Sequence, residues 1–364
     1  MKILLHAPLH PSYWVYLLET MPEHEWFIEP KEDFEQGSTP RKHIKYTIVP
    51  RKSNIKYDVQ IICISSHGGY IKPLLQDFHI PIVFVDFWRT PIPELAIKYP
   101  LISGCCHLSN ETYPNNQYVY IPPSRTLWNQ DWKGDIQKVF IPGQAYLHPS
   151  YVHTFFAKLI KNLQKTDLAL ALIEDSNRQI PWSQWQDYFI HNRVLLDCAD
   201  KRCSFVIEEA MTIGMPIISR EAYETPWQIR DKVDGFTKWS DNELIELLHK
   251  FTEKDNSFAT EWSLKSKERG KEILSVAKTR ECFNKAFEDA IKLFNSSKNP
   301  FELNLVTKPI TTPIPKPVVK PIIQKFCPVC GKELIKTIKE GDYLTIIDLH
   351  CPCGYSEKTE IRRY

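Results

Sequence analysis

The chain has 364 residues, 43% hydrophobic and 25% charged, a globular composition for two or three domains that excludes a wholly disordered chain. Its 46 Lys and Arg against 44 Asp and Glu leave a net charge of +2, so any nucleic-acid role must rest on a local patch. Only 12 Gly stand against 27 Pro, which argues against a Gly-rich phosphate loop, and no apolar run approaches the roughly 20 residues that cross a bilayer.

The N-terminus turns polar at His6, too soon for a signal peptide, so a soluble, cytoplasmic protein is expected. Lys2–Ala7 reads as a strand and Tyr13–Met21 as an amphipathic helix. Apolar, β-branched runs recur at Val59–Ser65, Ile80–Asp86, Pro100–Ser103 and Tyr118–Ile121. Such runs alternating with helical or turn segments predict a parallel sheet covered on both faces.

The pattern restarts near Asp135. Strands are expected at Val139–Ile141, Ala169–Glu174, Val194–Leu196 and Met215–Ser219, and helices at His148–Gln164, Trp182–His191 and Ser204–Ile213. Ser204 suits an N-cap, with Gly214 just past the helix end and Pro216 beyond. Helical periodicity continues over Asn242–Thr252 and Glu261–Phe294, the latter long enough to break. The expected architecture is α/β: two doubly wound Rossmann-like domains at 1–130 and 131–296, the final helices returning to the first domain. Pro309, Pro313, Pro315, Pro317 and Pro321, interleaved with Lys308, Lys316 and Lys320, make 297–324 a semi-rigid basic linker. Residues 325–364 form a small domain of their own.

That domain holds four of the ten Cys. Cys327-Pro-Val-Cys330-Gly is followed about twenty residues later by His350-Cys351-Pro352-Cys353-Gly354. Two thiolates three apart before a Gly form a turn aimed at one ion, and a second turn completes a tetrahedral structural Zn²⁺ site. Cys351 and Cys353 are only two apart, so Cys351 or His350 is the fourth ligand beside Cys327, Cys330 and Cys353. A segment this short draws its folding energy from the metal. Zinc ribbons contact nucleic acid or protein, and the Lys-rich lead-in suits a DNA partner.

A second motif runs from Cys203 through Glu209-Ala-Met-Thr-Ile-Gly214-Met-Pro216 to Ser219. A short helix here carries a Glu and turns into a buried strand. At the carboxyl edge of a parallel sheet its N-terminus faces a ligand, and a carboxylate accepts two ribose hydroxyls. The segment resembles the donor-nucleotide motif of GT-B glycosyltransferases, E-A-M-x-x-G-x-P-V-I, and the likeness continues through Thr225-Pro-Trp-Gln to Asp234-Gly235-Phe236. The resemblance implies two Rossmann-like domains and a nucleotide-sugar donor such as a UDP-sugar, with Glu209 on the ribose. Where retaining members carry an acid eight residues earlier, this chain has Lys201 and then Arg202, two cations suited to a diphosphate. Gly143 is counted with these as donor-binding.

In the first domain, Tyr57–Gly69 ends a strand at Ser65-Ser66-His67-Gly68, and Ile80-Pro-Ile-Val-Phe-Val-Asp86 ends in an acid followed by Phe-Trp-Arg89-Thr-Pro91. This setting resembles phage DNA β-glucosyltransferases, which implies Asp86 as the catalytic base, inversion, and a hydroxymethylated base in phage-type DNA as acceptor. His67, Gly68 and Arg89 are the acceptor-side candidates, with His6 a further cleft candidate. A saccharide, lipid-linked or protein acceptor keeps the same fold, and a catalytically silent nucleic-acid adaptor is the rival of another class. Trp88, Trp182, Trp185 and Trp227 could stack on a ring but read better as core.

Overall fold

The computed structural model describes residues 1–7, 11–30, 44–50, 54–63, 79–86, 99–104, 115–142, 155–173, 180–197, 205–220, 225–296, 335–340, 344–350 and 356–362. The chain divides into two compact units, Met1–Glu302 and Leu303–Tyr364.

The first unit contains two parallel sheets. The larger has seven strands in the order β3-β2-β1-β4-β5-β6-β7. These are β1 (Lys2–Ala7), β2 (Glu25–Pro30), β3 (Thr47–Ile48), β4 (Val59–Cys63), β5 (Ile82–Asp86), β6 (Leu101–Ser103) and β7 (Asn116–Tyr118). Every residue of β4, β5 and β6 is buried, as a sheet covered on both faces requires. The strand expected at Tyr118–Ile121 lies earlier: the ladder ends at Tyr118, and Val119–Ile121 run on buried but unpaired as strand. Two strands were not foreseen. β2 reads EWFIEP, with acids inside it, and β3 is two exposed residues at the sheet edge. Parallel pairing with β1 and then β2 defines them, which no local periodicity announces.

The second sheet runs β11-β10-β8-β9, from β8 (Ile136–Ile141), β9 (Leu170–Leu172), β10 (Asn192–Asp197) and β11 (Ile217–Ser219). Helix α1 (Pro11–Thr20) links β1 to β2. Helices α2 (Phe155–Leu163), α3 (Trp182–His191) and α4 (Phe205–Ile213) link the strands of the second sheet in turn. Strand order reverses between β1 and β4 in one sheet and between β8 and β10 in the other. Such switch points open crevices at the carboxyl ends of the strands.

Four helices follow: α5 (Thr225–Gln228), α6 (Asp241–Thr252), α7 (Ser257–Ile273) and α8 (Val276–Ser296). A full capping box starts α6, Ser240 and Glu243 satisfying each other's backbone N–H. The long helix expected over Glu261–Phe294 is broken. Leu274 leaves helical geometry at φ −96°, ψ 68°, and the Ser275 hydroxyl accepts the Lys278 N–H at 3.2 Å to restart the chain as α8. The new direction carries α8 back over the first sheet. Its buried stripe is Thr279, Cys282, Phe283, Ala286, Phe287 and Ala290. The Thr279 hydroxyl donates to the Tyr120 carbonyl at 3.0 Å, and Arg280 donates to the Thr20 carbonyl at 2.6 Å. One apolar core therefore includes Ile3 and Val83 from the first sheet with Leu195 and Ile217 from the second.

The second unit has an antiparallel meander, β12 (Ile335–Glu340), β13 (Leu344–His350) and β14 (Ser356–Arg362). Its register pairs Ile335 with His350 and His350 with Ser356. Among the described residues, no helix is long and apolar enough to cross a membrane.

Helices α7 and α4 cross closely at Gly270. A Cβ on Gly270 would lie 2.8 Å from the Met211 carbonyl oxygen. Backbone on both sides leaves no flexible side chain to yield, so the helices would have to separate. Gly270→Ala is expected to lower stability by about 1–3 kcal/mol in urea unfolding, the usual cost of overpacking.

Candidate functional site

Parallel strands place their last residues on one edge. In the first sheet that edge carries His6 on β1, Cys63 on β4, Asp86 on β5 and Ser103 on β6. Asp86 is fully buried and paired in register with Ser103, and its carbonyl accepts the Gly104 N–H at 3.1 Å. Burial, with the Asp86 charge on the neighbouring strand, pushes the Cys63 thiol far above its ordinary value. This thiol is inert at neutral pH; Cys63 and Cys282 are both free and buried. His6 is held inside the sheet. Its Nδ1 lies 2.8 Å from Glu29 on β2 and its Nε2 3.0 Å from the Gln60 amide oxygen on β4. Both ring nitrogens therefore serve strand-to-strand contacts, which corrects its reading as a cleft residue.

The corresponding edge of the second sheet ends in Asp197 and Ser219, buried and paired in register. Ser219 closes the motif quoted from the sequence, whereas Asp197 carries no local signal. The Ser219 hydroxyl has no hydrogen-bond partner among the described residues. The loop that follows β11, read in the sequence as an extension of the donor motif, is pinned from below. Arg269 donates from Nε to the Gln228 carbonyl at 2.9 Å and from a terminal nitrogen to the Trp227 carbonyl at 2.5 Å. Asp234 accepts both the backbone N–H and the guanidinium of Arg230. Trp227 is 55% exposed, so it is not the core residue the sequence suggested. Trp182 and Trp185 do pack against the core.

The strongest chemistry lies on α4. Glu208 and Glu209 are adjacent and each 2% exposed, so neither is a surface carboxylate. Tyr16 on α1 donates its hydroxyl to Glu209 Oε1 at 2.6 Å, and Trp185 on α3 donates its indole N–H to Oε2 at 3.1 Å. The Tyr16 oxygen in turn accepts the Trp128 indole N–H at 3.0 Å. A carboxylate belonging to the second sheet's layer is thus bound by a phenol from the first sheet's layer. Glu208 accepts from the Gln228 amide at 3.3 Å, and its other oxygen is buried with no partner among the described residues. Desolvation raises Glu208 well above the carboxylate range, with the Glu209 charge adding to it. Desolvation also pushes Glu209 up to about 7, against lowering by its bonds to Tyr16 and Trp185. Burial and the Glu209 charge raise the Tyr16 phenol, so it stays a donor.

Behind this seam a cavity of about 400 Å³ is bordered by Tyr16, Thr20, Arg125, Thr212, Gly270 and Lys271. Thr20, Thr212 and Gly270 stand at or near the C-terminal ends of α1, α4 and α7. In a βαβ unit, helix C-termini lie at the end of the sheet opposite the strand carboxyl ends, so this cavity is on the hinge side.

Of the residues singled out in the sequence, the structure describes Asp86, Glu209 and His6, besides Trp182, Trp185 and Trp227. Lys201, Arg202, Gly143, His67, Gly68, Arg89, Trp88, Ser204 and the ligand set Cys327, Cys330, Cys351 and Cys353 lie outside the described residues, as does the His350 side chain. Among the described residues no group of three or more His, Cys, Asp or Glu is arranged to hold a metal ion. Tyr16 and Trp128 had no sequence signal, because their partner is contributed across the seam.

The buried pair makes stability pH-dependent with a definite sign. The folded value of Glu209 exceeds its reference 4.5, so the fold favours the neutral acid. Its contribution is complete below about pH 4.5 and is lost as pH rises through about 7. The shift from 4.5 to about 7 corresponds to about 3 kcal/mol. Wild-type unfolding free energy should therefore fall from pH 5 to pH 8, and Glu209→Gln should flatten that fall, as read by urea titrations at both pH values.

No protein-family model matches the sequence, and no curated protein sequence does. Solved structures do match. HepE of Anabaena, in complex with UDP and glucose, superposes with a TM-score of 0.53 at 12% identity, over 79% of this chain and 99% of its own. The sucrose-phosphate synthase of Thermosynechococcus elongatus gives 0.53 at 11% identity, over 82% and 100%. A glycosyltransferase of Rickettsia africae gives 0.55 at 10% identity, over 80% and 98%. At these identities the likeness shows the fold: two parallel α/β sheets in the Rossmann-like GT-B arrangement of these glycosyltransferases.

Proposed function

We propose that this chain is a nucleotide-sugar-dependent glycosyltransferase using a UDP-sugar donor and inverting the anomeric centre. The observation that carries the reading is the reversal of strand order in both sheets of one fold shared with HepE, which was solved with UDP and glucose. The donor is assigned to the carboxyl edge of the second sheet, between β8 and β10. There Glu209 takes the ribose, Lys201 and Arg202 the diphosphate, and Gly143 lies just beyond β8. The acceptor is assigned to the first sheet, with His67, Gly68 and Arg89 around it and Asp86 as general base. A base at the end of β5 removes the acceptor hydroxyl proton as that oxygen attacks the anomeric carbon from the face opposite UDP.

The C-terminal unit is read as a zinc ribbon. Its register supports this: Ile335, His350 and Ser356 share one end of the meander. Cys330 precedes Ile335 by a few residues in the chain, and Cys351 and Cys353 lie between His350 and Ser356. The donor set of thiolates with a neighbouring His fits Zn²⁺. With the Lys-rich segment before it, this unit would bring the enzyme to DNA, a hydroxymethylated base being the acceptor. The adaptor reading without turnover is excluded once any sugar is transferred.

Asp86→Asn should abolish transfer, by about 10²–10⁴-fold, while UDP binding stays near wild type. Full-length protein is incubated with UDP-sugars and either hydroxymethylated DNA or free saccharides, and products are read by mass spectrometry. Undiminished turnover in the Asn variant removes Asp86 as base, and product on saccharide alone removes the DNA acceptor. The protein should also contain one zinc per chain, and Cys327→Ser should release it while Met1–Glu302, a compact unit by itself, keeps its unfolding transition.

A further inference from the structure

The Glu209 carboxylate is committed twice over. A ribose diol would need its oxygens as acceptors, yet Tyr16 donates to one and Trp185 to the other. With 2% of its surface exposed, Glu209 leaves no room for a sugar while these bonds stand. The two blocking groups are not equivalent. Trp185 and Glu209 both belong to the second sheet's layer, whereas Tyr16 comes from α1, over the first sheet. Any movement that opens Glu209 to a nucleoside must therefore part α1 from α4, and the Tyr16 bond is the one that crosses that seam.

We propose that Tyr16 is a positioning residue that gates the donor site: it closes the Glu209 carboxylate in the donor-free protein, and a nucleoside diphosphate displaces it, exchanging the phenol for a ribose hydroxyl. The proposal rests on Glu209 being the ribose carboxylate. The exchange is close to balanced, one hydroxyl donor replacing another on the same oxygen. Tyr16 keeps a partner after release, because the Trp128 indole N–H already donates to its oxygen. The cavity of about 400 Å³ that borders Tyr16 gives adjacent free volume for the movement. α1 follows directly from β1, whose carboxyl end shares an edge with Asp86, so release of Tyr16 reports donor occupancy to the acceptor side. The donor then binds before the acceptor.

The test uses the full chain and UDP, titrated by calorimetry into wild type, Tyr16→Phe, Glu209→Gln and the double variant. Phe keeps the ring that fills the core and deletes only the competing hydroxyl. Tyr16→Phe should bind UDP about tenfold more tightly, and the gain should vanish in the Glu209→Gln background, since the gate acts through that carboxylate. Equal or weaker UDP binding by Tyr16→Phe overturns the gate, while a loss of affinity in Glu209→Gln alone keeps the donor reading. A gain that persists without Glu209 also overturns it. Absence of UDP binding in wild type and Tyr16→Phe alike overturns gate and donor reading together. Should Tyr16→Phe not fold, hydrogen exchange on the wild type decides: UDP should speed exchange of the α1 amides, and unchanged or slower exchange overturns the gate.

Discussion

A carboxylate buried where two layers meet constrains everything around it. Glu209 sits on α4 under the second sheet, and its desolvation is tolerable only because its oxygens are met by hydrogen-bond donors. One donor is Tyr16, fully buried on α1, and Tyr16 is itself oriented by Trp128. Removing any member strands a buried polar atom, so in this structure these bonds tie α1, α3, α4 and the segment carrying Trp128 together. The neighbouring Glu208 has no partner for its second oxygen among the described residues, and burial raises its carboxyl well above the usual range. Such an acidic pair, buried at a seam between layers, adds nothing to stability at neutral pH.

The second constraint is covalent. The chain leaves the first sheet after β7, builds the second, and returns through α8 to lie on the first again. The Leu274–Ser275 break makes the return possible, since a continuous helix would carry residues after Ile273 away from the first sheet. This return is the joint between the two sheets, and residues of both share one apolar core. The cavity beside Tyr16 and Lys271 lies at this joint, and the strand carboxyl edges with Asp86, Asp197 and Ser219 lie at the other end.

Legibility in the sequence followed burial. β4 and β5 are continuous apolar runs because both their faces are covered, and they were found within two residues of their structural limits. Gly214 behind α4 was read as a helix stop, and the chain does turn there with φ +86°. β2 escaped notice because its identity comes from the strand beside it, and Trp227 was misjudged because its backbone is clamped while its ring faces solvent. On α4 the Glu doublet was visible, but whether it faced water or protein depended on which element covered it.

Local sequence alone determined the α/β alternation, the donor-type motif around Glu209 and the Cys pairs at the C-terminus. Each is a property of residue type at short spacing: apolar periodicity, a Glu one turn into a helix, thiols three apart. Tertiary structure alone decided that Glu209 is sealed by Tyr16, that His6 is held between Glu29 and Gln60, and that α8 covers the first sheet. Those contacts join residues 23 to 193 positions apart, and in one case 159. No short window of sequence contains both partners, so only the packing of complete layers brings them together.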